Sequence, residues 1–156
     1  MTAITRILAE FAAGLFYDNL PSEVIDRVKL LTLDTVGIAL RARHEAESTP
    51  GLLAAAAKLG LTGGDSTVIG DADKYTPAGA ALINGALAHS LDFDDTHARG
   101  SIHPSAPILP AAFAAAEMAG ADGHALIAGI IAGYETQIRI SMALGPSEHY
   151  QQGFHP

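Results

Sequence analysis

An all-α helical bundle with at most one short strand is the fold class this sequence predicts, and three observations carry that prediction. Apolar residues recur at three- and four-residue spacing along most of the chain. Small side chains abound, including 16 glycines, which suits helices packed closely on one another. Only one run, residues 66–69, is β-prone between turn residues. A chain of 156 residues fits a single domain, 1–156, long enough to bury a core.

The elements follow in order. Ile4, Ile7, Leu8, Phe11, Leu15 and Phe16 lie at helical spacing and predict a first amphipathic helix. Pro21 and Ser22 open a long second helix, with Val24, Ile25, Val28 and Leu31 on one stripe, running to about Arg41. HEAESTPG is a polar break, and GLLAAAAKLG a short helix stopped by Gly60. LTGGDSTVIGDADKYTP is rich in glycine and aspartate around the single extended piece. Thr76 followed by Pro77 is an N-cap with proline in the first turn, and the helix AGAALINGALAHSL runs from it. SAPILPAAFAAAEMAG is the next helix, with Pro104 near its beginning and Pro110 expected to kink it. Asp122 caps the last long helix, where Gly129 and Gly133 allow close approach of a neighbour. Glu135 and Arg139, four apart, predict an intrahelical ion pair. GPSEHYQQGFHP reads as a loop.

Composition narrows the function classes. The formal charge of −8, with no Lys/Arg-rich run, argues against nucleic-acid binding, which needs a basic face for the phosphates. The absence of cysteine removes disulfides, thiolate metal sites and cysteine nucleophiles. No apolar run reaches the roughly 20 residues that span a bilayer, and the N-terminal stretch reads as an amphipathic helix rather than a signal peptide. A cytoplasmic protein that binds neither membrane nor nucleic acid is the expectation. With 49% apolar residues and 17% charged, some apolar surface is expected to lie against another subunit or further polypeptide.

The chemistry concentrates in residues 89–104, HSLDFDDTHARGSIHP. Asp92, Asp94 and Asp95 follow a helix C-terminus, where negative charge is unfavourable, so they require a compensating cation, a histidine partner or a polar site. In extended backbone Asp92 and Asp94 share one side and Asp95 faces away. His97 and His103 with these aspartates form one candidate N/O metal set, but the spacing matches no motif of known geometry. His103 precedes Pro104, which confines it to extended backbone and suits it to proton transfer near neutrality. His155 repeats the His-Pro pair after a second long helix, and the two loops could converge on one pocket. His44, His89, His124 and His149 read as surface or capping residues. Solvated loop, metal loop and catalytic site all remain open on these residues alone. There is no G-x-G-x-x-G, P-loop or G-x-S-x-G, so nucleotide binding and serine hydrolysis have no support.

Taken in order, LTLDTVGIAL, AALINGALAHSLDFDDTH, HPSAPILPAAFAAAE, GYETQIRI and GFHP resemble the MmgE/PrpD family. The resemblance implies a large helical domain closed by a smaller α+β domain, and metal-free, cofactor-free removal or addition of a proton beside a carboxylate. The family includes 2-methylcitrate dehydratase, cis-aconitate decarboxylase and iminodisuccinate epimerase. By it the chain is expected to be a dehydratase-like lyase of a di- or tricarboxylate, with decarboxylase or epimerase activity as alternatives. The resemblance also makes Asp92, His103 and His155 the catalytic residues, with Thr96 beside them to contact substrate; Arg99, the arginine of the cluster, reads either as a partner for a substrate carboxylate or as a solvated side chain. It further implies that the chain is the N-terminal portion of the helical domain. A homodimer or a completing chain is then the expected partner, and a helical fragment without turnover of its own is the non-enzymatic alternative.

Overall fold

The computed structural model describes residues 3–154; His155, expected at the site, lies outside them. Among the described residues the elements are α1 (Ile4–Ala13), a 3-10 turn (Tyr17–Asn19), α2 (Ser22–Glu45), α3 (Thr49–Lys58), β1 (Thr62–Thr67), β2 (Lys74–Tyr75), α4 (Pro77–His89), α5 (Ser105–Ala119), α6 (Gly123–Leu144) and α7 (Pro146–Gln151). The predominantly helical bundle expected from the periodicity is the fold observed.

Three details differ from the sequence reading. First, α2 continues through Glu45, one turn past Arg41, because its last turn is anchored: Thr49 Oγ1 donates to the Ala42 carbonyl at 2.9 Å. Second, the extended piece is not isolated. It begins at Thr62 and pairs antiparallel with Lys74–Tyr75, with an irregularity between Thr62 and Ser66. Gly64 sits in that irregularity against the Tyr75 carbonyl, where an added Cβ would lie 2.3 Å from the oxygen, so only glycine fits. Third, residues 146–151 form a short helix begun by Pro146, where a loop was expected.

The two caps read from the sequence are made. Thr76 Oγ1 accepts from the Gly79 amide at 3.1 Å, and Asp122 Oδ1 from the Ala125 amide at 2.9 Å. α5 runs unbroken through Pro110, which is fully buried.

The core has two parts, joined by α2. Its C-terminal half contributes Ala39 and Ala42 to a cluster with Ala56, Val68, Tyr75, Ile83 and Leu87, from α3, the hairpin and α4. Its N-terminal half contributes Val28 to a cluster with Ile108, Leu109, Ile130 and Ile131, from α5 and α6. α4 and α5 lie close together, with Gly85 against the Ala106 carbonyl. The connection between them, residues 90–104, therefore has to turn back sharply within a short distance. That turn carries the charged cluster.

Candidate active site

The last turn of α4 and the first turn of α5 hold the site from either side. His89 ends α4, and Asp92 follows in left-handed backbone (φ 55°), its amide bonded to the His89 carbonyl at 3.0 Å. Asp tolerates that region better than most residues. The reversal turns Asp94 inward, so its side chain has no solvent exposure. His89 Nδ1 lies 3.0 and 3.1 Å from the two oxygens of Asp94. His103 Nδ1 lies 3.5 Å from Asp94 Oδ2, too loosely placed for a hydrogen bond, and that nitrogen is closed to solvent. The two imidazoles meet edge to face, with centroids 4.9 Å apart.

Asp95 points elsewhere. Its Oδ1 accepts from the Ser105 amide at 2.9 Å, the first residue of α5, and its Oδ2 from the Tyr134 hydroxyl at 3.0 Å. Ser105 Oγ and the Tyr134 hydroxyl also hydrogen-bond each other. Burial, with the Asp95 carboxylate adding to it, pushes the Tyr134 phenol well above its ordinary value, although the Ser105 hydrogen bond pulls it down. Two of the three aspartates thus have partners, Asp94 in the His89 imidazole with His103 facing it more loosely and Asp95 in a helix N-terminus and a phenol, while Asp92 stays exposed.

The rest of the loop is a tight turn. His97 and Ile102 form an isolated bridge, and His97 Nδ1 accepts from the Gly100 amide at 3.0 Å, which commits that ring nitrogen to structure. Ser101 Oγ hydrogen-bonds the Tyr150 hydroxyl at 2.8 Å and ties α7 to the turn.

A cleft of about 590 Å³ opens beside the cluster, lined by His89 and His103 and by Leu82, Ile102, Pro107 and Gln137 among others. The Gln137 Oε1 atom is buried without a hydrogen-bond partner. Two polar rings in a mostly apolar concavity make this the natural place for a small ligand. His89, Asp92, Asp94 and His103 each offer a donor atom within 4.8 Å of the others, so the same four groups are the ones that could hold a cation.

Of the expected site residues, Asp92 and His103 come together here. Thr96 and Arg99 are exposed on the turn and do not line the cleft. His89, read from the sequence as a surface or capping residue, is exposed in the last turn of α4 as expected, and in addition it shares Asp94 with His103. Its signal was its distance from Asp94, five residues across a helix end, which becomes a contact only if the chain reverses at Asp92. Of the other histidines in that group, His124 stacks on Tyr17 at 3.8 Å, and His149 faces Phe154 at 6.4 Å with its Nδ1 buried.

Comparison with known proteins adds a second kind of observation. The family model for the MmgE/PrpD N-terminal domain matches residues 6–156. A cis-aconitate decarboxylase of Aspergillus terreus is 30% identical over 159 residues, covering 99% of this chain and 32% of the relative. The cis-aconitate decarboxylase of Homo sapiens is 30% identical over 161 residues, covering all of this chain and 33% of its own length, and that of Mus musculus is 28% identical. The chain therefore spans about a third of the length of the curated relatives it matches. No solved structure matches it.

Proposed function

The chain belongs to the MmgE/PrpD family, and from that premise we propose that it is the N-terminal part of a lyase acting on a di- or tricarboxylate through proton transfer beside a carboxylate. Decarboxylation of cis-aconitate is the first form of this reading, because the relatives named above carry that activity in their names. Dehydration of 2-methylcitrate and epimerisation of iminodisuccinate are its neighbours, since all three chemistries need the same proton-transfer groups. The observation that carries the reading is the gathering of Asp92, Asp94, His89 and His103 at the edge of one cleft.

A C–H next to a carboxylate is weakly acidic, so a base must be held against it while donors stabilise the enediolate that forms. In the decarboxylation the C–C bond to the departing carboxylate breaks, its electron pair stays on carbon, and that carbon takes up a proton. In the dehydration a proton leaves carbon, and the hydroxyl departs as water on being protonated. His103 is the residue assigned to exchange the proton, with Asp92 orienting a histidine or holding a substrate group. Thr96 and Arg99, on the exposed turn outside the cleft, would meet only a substrate carboxylate that reaches beyond it, and His155 would act from the opposite side. The substrate enters an acidic chain, so cationic groups from the remaining polypeptide, or from a second copy of the chain, are part of this reading.

The test is turnover of cis-aconitate and of 2-methylcitrate by the protein carrying this segment together with its downstream sequence. Activity unaffected by chelators and lowered 10²- to 10⁴-fold by His103→Ala is the expected result, the range typical for loss of a general acid or base. Full activity in His103→Ala removes that residue from the reaction. The second reading, a cation held by the four donors of the cluster, predicts instead that chelation abolishes turnover. Residues 1–156 alone are expected to turn over neither substrate.

A further inference from the structure

Asp94 has no place in the reaction outlined above, yet it is the most deeply buried charged group of the site, and both imidazoles address it through the same ring atom. We propose that Asp94 is a positioning residue that fixes His89 and His103 together as Nδ1–H tautomers, so that each presents an unprotonated Nε2 on its other edge. For His103 this rests on the proton-transfer reading of the site; for His89 it adds a second imidazole that the sequence did not single out.

A neutral imidazole carries one N–H and one acceptor nitrogen, and its surroundings choose which is which. His89 Nδ1 sits within 3.1 Å of both carboxylate oxygens, which can only accept, so the proton has to be on that nitrogen. His103 Nδ1 is closed to solvent, and Asp94 Oδ2 at 3.5 Å is the carboxylate it faces. A bare lone pair there would be buried and turned toward negative charge, whereas an N–H is attracted. One carboxylate thus sets two tautomers, much as a carboxylate behind a histidine does in other general-base arrangements. The left-handed backbone at Asp92 lies within the reversal that brings Asp94 back to His89. The edge-to-face contact of the rings at 4.9 Å sets them side by side in the wall of the cleft that both line.

The readout is the tautomeric state, by two-bond ¹H–¹⁵N correlation of the imidazoles in ¹⁵N-histidine-labelled protein at a pH where both rings are neutral. His89 and His103 are expected to show the Nδ1–H pattern, against the Nε2–H form that free histidine prefers. Asp94→Asn keeps one acceptor oxygen and is expected to return one ring to Nε2–H; Asp94→Ala is expected to return both. Asp92→Asn, which removes the exposed charge of the same cluster and still suits the left-handed backbone, is expected to leave both tautomers as they were. An Nε2–H pattern for His103 in the unmutated protein overturns the proposal even if the Asp94 variants fail to fold, and a tautomer change in Asp92→Asn transfers the role to that residue. Turnover is not the readout, so absence of lyase activity would count against the proposed function while leaving the tautomer result to stand by itself.

Discussion

Asp71 shows how a single carboxylate can hold an irregular segment in place. It accepts from the Arg43 guanidinium at 3.0 Å, from the Tyr75 hydroxyl at 3.1 Å and from the Asp73 amide at 3.2 Å. These tie the loop between β1 and β2 to α2 and to the buried ring of Tyr75. Burial works against its charged form, but the hydrogen bonds from Asp73, Arg43 and Tyr75 and the Arg43 charge outweigh it, so the carboxyl is held below its ordinary value. A carboxyl lowered on folding contributes stability that is complete above its unfolded value, near 4, and is lost as pH falls through the folded one. Thermal unfolding midpoints measured against pH should therefore show wild type ahead of Asp71→Asn at neutral pH, by a margin that shrinks below about pH 4. A margin independent of pH would mean that the ionised carboxyl contributes nothing. The same logic of partnered charge applies at the site, where each buried carboxylate meets donors from a different element.

At the scale of the element, α6 offers a test of what its two glycines do. Both were read from sequence as positions of close helix approach, and the structure separates them. An added Cβ at Gly133 would stand 2.7 Å from the Ile108 side chain of α5, whereas at Gly129 it would meet nothing within 4 Å. Gly133→Ala is therefore expected to destabilise, by about 1–3 kcal/mol if the α5–α6 contact must open. Gly129→Ala is expected to stabilise by up to about 1 kcal/mol, since alanine is the better helix former in an open position. Urea denaturation midpoints moving in opposite directions would confirm the separation; a shared direction would refute it. The short distance between α5 and α6 matters to the site, because α6 brings Tyr134 to Asp95 and Gln137 to the cleft wall.

Over the whole molecule the conspicuous feature is apolar surface left open. α2 exposes Leu30, Leu33 and Leu40 at 60%, 71% and 46%, and their spacing places them along one side of the helix. A stripe of that kind is large exposed apolar surface, and the chain spans about a third of its relatives' length, so packing of further polypeptide or a second copy on it is open to test. Residues 1–156 alone are expected to self-associate with rising concentration in sedimentation velocity, and Leu33→Glu is expected to shift them toward monomer. Monomeric behaviour of the unmutated segment at all concentrations would show that the stripe drives no association. No helix among the described residues is long and apolar enough to cross a membrane, so the stripe is not part of a spanning segment.

Much of the molecule was legible in its sequence because the deciding forces are local. Thr76 and Asp122 cap their helices through amides three residues away, Glu135 pairs with Arg139 across one turn, and the apolar stripes follow the helical period. The concentration of titratable groups in residues 89–104 was equally plain, as was the family resemblance carried by its motifs. What only the tertiary structure decided is which of those groups meet. The pairing of β1 with β2 depends on a glycine fitting against a carbonyl eleven positions on, and the contact of Asp95 with Tyr134 spans 39 residues. The partnership of His89 with His103 exists because α4 and α5 pack together and force the chain back on itself at Asp92. Periodicity and capping report a residue's nearest neighbours along the chain; the protonation geometry of a buried carboxylate is set by neighbours that only packing supplies.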